Sequence, residues 1–107
     1  TDHIVLITNE LGLDEDSAKE ILKDFFDYIE PEFENLQKAI SNNDKERIKS
    51  IAHAIKGSAF NLRLTAIGEI AEEIENSIKD GLEYDYNKAL KTLKIVINSY
   101  KMEMIDG

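Results

Sequence analysis

The residues best equipped for chemistry are His53, Lys56 and Gly57, within His53-Ala54-Ile55-Lys56-Gly57-Ser58-Ala59. His53 is one of only two histidines in 107 residues. Imidazole titrates near neutral pH, so a large fraction of it is an unprotonated nucleophile. A lysine one helical turn later disfavours protonation of the ring. It also offers a charge-assisted hydrogen bond to a phosphoryl oxygen. Glycine in a helix interior costs about 1 kcal/mol against alanine. Here it removes a side chain beside the ring, which lets a second protein's active site come close. The same residues also admit a bland reading, a surface histidine with incidental lysines.

Competing chemistries lack their parts. There is no glycine-rich phosphate loop and no nucleotide fingerprint. A di-metal bundle needs Glu-x-x-His elements, but Ser50 stands three residues before His53. Asp14-Glu15-Asp16 opens like a calcium loop, yet Lys19 and Phe25 occupy the places of its turn glycine and its bidentate glutamate. Ser50 and Ser58 lie near His53, but no oxyanion-hole element accompanies them, which argues against a hydrolytic triad. No metal and no cofactor of its own is expected.

The elements that position His53 read as helices throughout. Residues 2–11 form a short helix, with Asp2 as its cap, His3 exposed near the terminus and Gly12 at its C-terminal end. A second helix starts at Asp14 and buries Ala18, Leu22, Phe25, Ile29, Leu36 and Ile40. Pro31 interrupts that stripe and predicts a kink near Ile29-Glu30, or a break and restart. Asp44 caps the helix that carries His53, whose stripe is Ile48, Ile51, Ala52, Ile55, Ala59 and Leu62. At about 100° per residue, His53 falls roughly 150° from the centre of that stripe, on the solvent side. Lys49 is one turn before it, and Lys56 and Gly57 one turn after.

Another helix begins near Thr65 with the stripe Leu64, Ile67, Ala71, Ile74 and Ile78. Glu69, Glu72, Glu73 and Glu75 make up its expected wet face, and Asp80-Gly81 its end. The last helix carries Tyr86, Leu90, Leu93, Ile97, Tyr100 and Met104. No strand candidate remains. Short turns between long helices predict an all-α, antiparallel four-helix up-down bundle with an additional short N-terminal helix, a single domain over residues 1–107.

The net charge is −9, which argues against general nucleic-acid binding. Between Asp44 and Arg63, however, five bases face two acids, a local balance of +3 that leaves −12 for the remainder. An anion, or a partner with an acidic pocket, is steered to this segment. No apolar run approaches the roughly 20 residues that span a bilayer, so no membrane insertion is expected. With no cysteine, disulfides and thiolate metal sites are excluded. A cytoplasmic location is the default expectation. The chain begins at Thr1 and not Met, as an excised module of a longer protein would.

His53-x-x-Lys56-Gly57-Ser58-Ala59 followed by Leu62 resembles the signature of histidine-containing phosphotransfer (HPt) domains, four-helix bundle modules of two-component phosphorelays. Asp44 stands nine residues before the histidine, as is usual in that family, and Leu64, Ile67 and Phe25 fit its common apolar positions. The resemblance covers about residues 14–105.

It implies that His53 is the phosphoacceptor, which takes a phosphoryl group from the phospho-aspartate of a receiver domain and passes it to another receiver aspartate. Lys56 would assist electrostatically and Gly57 would provide clearance, and the chain would have no kinase activity of its own. The implied partners are response-regulator receiver domains and a sensor or hybrid histidine kinase, with Mg²⁺ supplied by the receiver.

Lys49, Ser50, Phe60 and Arg63 are expected to contact the partner. Two of these depart from the pattern. Arg63 stands ten residues after the histidine, where the family commonly has glycine, and Phe60, where a small residue is usual, either enlarges an apolar docking surface or folds back between helices. Two alternatives remain open at this point: a non-catalytic helical docking module, and an HPt-like domain phosphorylated directly by a kinase domain.

Overall fold

A computed structural model describes residues 2–106, with side chains from 4 to 104. The expectations for Asp2 as a cap and for an exposed His3 lie outside the described side chains. Five helices follow one another: α1 (Asp2–Leu11), α2 (Glu15–Ser41), α3 (Lys45–Asn61), α4 (Thr65–Lys79) and α5 (Tyr86–Asp106). Among the described residues there is no strand, so the all-α expectation holds.

The helix starts follow from local hydrogen bonding. The Asp14 carboxylate accepts the Ser17 N–H at 2.7 Å, and Asp44 accepts the Arg47 N–H at 3.2 Å. Each satisfies a backbone donor that the first turn leaves without a partner. Helix α4 has no side-chain cap at Leu64; there the Tyr100 hydroxyl of α5 accepts the Ala66 N–H at 3.4 Å.

The C-terminal ends share one device. Gly12, Asn43, Arg63 and Gly81 all take positive φ, between 53° and 69°. At the end of α3, Leu64 N–H reaches back to Ala59 O at 2.8 Å and Arg63 N–H to Phe60 O at 3.1 Å. This Schellman closure needs a left-handed residue, for which glycine is the unstrained choice. Arg63 fills the position nonetheless.

Helix α2 runs unbroken through Pro31, so the expected break does not occur. Proline removes the N–H that would reach Asp27 O and sets its ring against that carbonyl, a cost confined to one turn. The buried Ile29 and Leu36 on either side of it keep both halves packed on the core.

The four long helices form a closed ring in which α2 packs on α3, α3 on α4, α4 on α5 and α5 back on α2, with α1 laid against α2. Neighbours run antiparallel. Between α3 and α4, Phe60 meets Gly68 while His53 meets Glu75. Between α4 and α5, Ser77 bonds Tyr86 while Ala66 bonds Tyr100. Lys101 of α5 pairs with Glu30 of α2.

The core holds the expected stripes. Ile48, Ile51, Ala52, Ile55 and Ala59 of α3 are buried, and Leu62 is half-buried. Ile67, Ala71 and Ile74 of α4 and Leu90, Leu93 and Ile97 of α5 complete the interior, and Ile4 and Ile7 of α1 join it.

Candidate functional site

Burial of Ile51, Ala52 and Ile55 fixes the rotation of α3 and turns His53 outward. Its side chain keeps 68% of its exposure. Facing α2, the neighbouring positions are Ser50, Ala54 and Gly57, all small and all exposed. A Cβ built on Gly57 would meet nothing within 4 Å, so the space above it is open. Facing α4 are Lys49, Lys56 and Phe60, all half-buried.

The site's organising residue is one that the stripe of α4 placed on the wet face. Glu75 is buried, and its carboxylate bridges His53 and Lys56. Oε2 lies 2.6 Å from His53 Nδ1, and Oε1 accepts from Lys56 Nζ at 2.6 Å. Only 6% of the Glu75 side chain remains exposed. The sequence held a weak signal for this. Glu75 stands four residues after Ala71 and three before Ile78, at the edge of the apolar arc. A carboxylate there is screened from water by the helix that packs across it, and the partner helix must supply its donors.

The electrostatics follow from that burial. The Lys56 hydrogen bond holds the Glu75 carboxyl below its usual range. Burial opposes this, and the His53 hydrogen bond adds to the lowering. Glu75 is therefore ionised at neutral pH and can only accept. Nδ1 of His53 must then donate, so in the neutral form of the ring the lone pair lies on Nε2, the nitrogen remote from Glu75. The carboxylate holds the ring's tautomer and orientation together, and it tethers Lys56 one turn away. The arrangement turns Nε2 outward, with the Lys56 ammonium at its flank and a bare glycine patch beside it.

The remaining candidates are placed as follows. Lys49 and Ser50 stand on the same surface, one turn before His53. The Phe60 ring folds over Gly68 of α4. A Cβ on Gly68 would come within 2.6–2.8 Å of three ring carbons, so the ring occupies the volume a side chain would need. Arg63 lies at the end of α3. Its Nε donates to Glu10 of α1 at 2.7 Å, and its Nη1 to the carbonyls of Phe60 and Asn61. The guanidinium thus caps α3 and latches α1.

On the α2 side, Tyr28 hydrogen-bonds Ser58, and burial together with Glu32 raises its phenol above the ordinary value. Among the described residues no cluster of three or more His, Cys, Asp or Glu side chains could hold a metal ion. No described helix is long and apolar enough to cross a membrane.

The chain matches the family model of the Hpt domain over residues 20–100. It is 30% identical over 105 residues to Multistep phosphorelay regulator 1 of Schizosaccharomyces pombe, covering 85% of this chain and 36% of that protein. It is 34% identical over 67 residues to Phosphorelay intermediate protein YPD1 of Candida albicans, covering 60% of this chain and 36% of that protein. The chain thus spans about a third of the length of these curated relatives. No solved structure gives a significant match.

Proposed function

The chain belongs to the Hpt domain family, and from that premise we propose that it is a phosphorelay phosphocarrier with His53 as its phosphoacceptor. The observation that carries this reading is the 2.6 Å contact between His53 Nδ1 and buried Glu75. It commits the other ring nitrogen, Nε2, to nucleophilic attack beside the open patch at Gly57.

In the proposed step, the Nε2 lone pair forms a bond to the phosphorus of a receiver phospho-aspartate. The bond from phosphorus to the aspartate oxygen breaks, and its electron pair leaves with the carboxylate. Nδ1 keeps its proton throughout. The phosphorylated ring is then an imidazolium, and the Glu75 carboxylate balances its charge. Lys56 reaches the phosphoryl oxygens from one turn away. Transfer onward is the same step in reverse, with a second receiver's aspartate as the nucleophile. Mg²⁺ belongs to the receiver's pocket in this scheme, and the chain contributes no kinase activity.

The partners are receiver domains and a sensor or hybrid histidine kinase that feeds them, and the setting is the cytoplasm. The test is transfer of label from a phosphorylated receiver. Wild-type protein takes up label and His53→Gln does not; label on the His53→Gln variant would remove His53 from the role. If labelling instead needs only a kinase domain and ATP, with no receiver present, direct phosphorylation replaces the relay scheme.

A further inference from the structure

The seam between α3 and α4 carries its charges in an unbalanced order. Phe60 meets Gly68 near one end, and seven residues further along both helices His53 meets Glu75. Continuing this antiparallel register by one turn brings Lys49 opposite Lys79. Both share the surface of the site, since Lys49 stands four residues before His53 and Lys79 four after Glu75.

Neither amine has a hydrogen-bond or ion-pair partner among the described residues; Lys49 is half-buried and Lys79 exposed. The cations on the opposite side of His53 are spoken for. Lys56 is paired with Glu75 and Arg63 with Glu10, and the α4 surface there carries Glu69 and Glu72. Beyond Lys49, Lys45 and Arg47 are balanced by Glu46 and the capping Asp44, and the exposed Asp80 follows Lys79, so the excess of positive charge at this end comes from Lys49 and Lys79 themselves. Two facing ammonium groups repel, so the bundle gains nothing from this pairing, whereas an anionic partner relieves it.

We propose that Lys49 and Lys79 form a cationic clamp for carboxylates on the protein that exchanges phosphoryl groups with His53. The clamp orients that partner, with its acidic edge over the first turns of α3 and away from Phe60. This rests on the phosphocarrier reading and adds a direction of docking to it. Lys79 lies outside the His53 motif, and only the register of α4 on α3 brings it to the site.

The test is the double reversal Lys49→Glu/Lys79→Glu, followed by phosphoryl transfer from a phosphorylated receiver across receiver concentrations at low and high salt. The half-saturating receiver concentration should rise by roughly tenfold or more at low salt, and the gap should narrow at high salt. The rate at saturating receiver should stay within about twofold, because neither lysine is assigned to the chemical step. A control reversal on the exposed lysines of α5, Lys91→Glu/Lys94→Glu, should leave half-saturation unchanged. Should the reversal perturb the fold, Lys49→Gln/Lys79→Gln should give a smaller rise in the same direction. An unchanged half-saturation, or an equal rise in the α5 control, overturns the clamp. Wild-type protein that takes up no label overturns the phosphocarrier reading itself, a distinct result.

Discussion

His53 of α3 and Glu75 of α4, 22 residues apart in sequence, meet through a 2.6 Å contact between ring Nδ1 and a buried carboxylate oxygen. The exposed imidazole is therefore held from beneath, by a residue that a docking partner has little room to touch. Replacing Glu75 by Gln removes the charge and keeps the shape. A charge-assisted hydrogen bond is worth about 1.5–3 kcal/mol, which corresponds to a slowing of phosphoryl uptake by roughly 10- to 100-fold. Nitrogen chemical shifts of the His53 ring should show both neutral tautomers in the variant, where the parent shows Nδ1–H alone. A parent-like spectrum would mean that Glu75 does not hold the tautomer.

The same carboxylate sets an acid limit on stability. Its folded pKa lies below the ordinary 4.5, chiefly through the Lys56 hydrogen bond, so the unfolded chain binds the proton more readily. This contribution is fully present above about pH 4.5 and is lost as pH falls through the lower folded value. Urea midpoints measured from about pH 6 to about pH 3 should fall less steeply for Glu75→Gln than for the parent. Equal slopes would show that Glu75 titrates alike in both states.

Gly57 separates clearance from folding. Since nothing lies within 4 Å of a Cβ placed there, a side chain leaves the backbone into open space in Gly57→Leu. It should leave melting unchanged or raise stability by up to about 1 kcal/mol through helix propensity. Transfer from a receiver should be blocked, and normal rates would sink the clearance argument.

Gly68 behaves in the opposite way. Gly68→Ala places its Cβ within 2.6 Å of the Phe60 ring, so propensity is outweighed by overpacking. A loss of about 1–3 kcal/mol is expected. In the Phe60→Leu background the same alanine should be tolerated better, and the difference is read as a double-mutant coupling energy by chemical denaturation. Simple additivity would show that the ring moves aside at no cost.

Arg63→Gly sets a left-handed strain against a latch. Relief of the positive φ of 61° returns about 1–2 kcal/mol. Loss of the half-exposed Glu10 pair costs at most about 1 kcal/mol at low salt. The variant should therefore equal or exceed the parent in stability, with a larger advantage as salt rises. Destabilisation across all salt concentrations would mean that the latch of α1 outweighs the backbone term.

The helices were legible because burial imposes a period, and their ends because capping has local chemistry. Asp14, Asp44, Gly12 and Gly81 announce helix boundaries within a few residues of chain. Of the kink or break expected at Pro31, the break does not occur, because the cost of proline is local while the packing of Ile29 and Leu36 that opposes it is not. From sequence, Phe60 fits either partner contact or folding back between helices; in the structure its half-buried ring lies over Gly68 of α4. Arg63 at a position expecting glycine makes sense only when its φ and its Glu10 partner are taken together.

The order of helices, the outward face of His53 and the neighbours at Lys49, Lys56 and Gly57 were determined by the sequence alone, since all follow from the 3.6-residue period of one helix. What α4 contributes was decided by tertiary structure. A period states which side of a helix is apolar, but not which residues of another helix lie opposite, because register depends on how side chains interlock across the seam. The fit of Phe60 over Gly68 sets that register. It carries Glu75 beneath His53 and Lys56, where a carboxylate read as solvated becomes the buried anchor of the site.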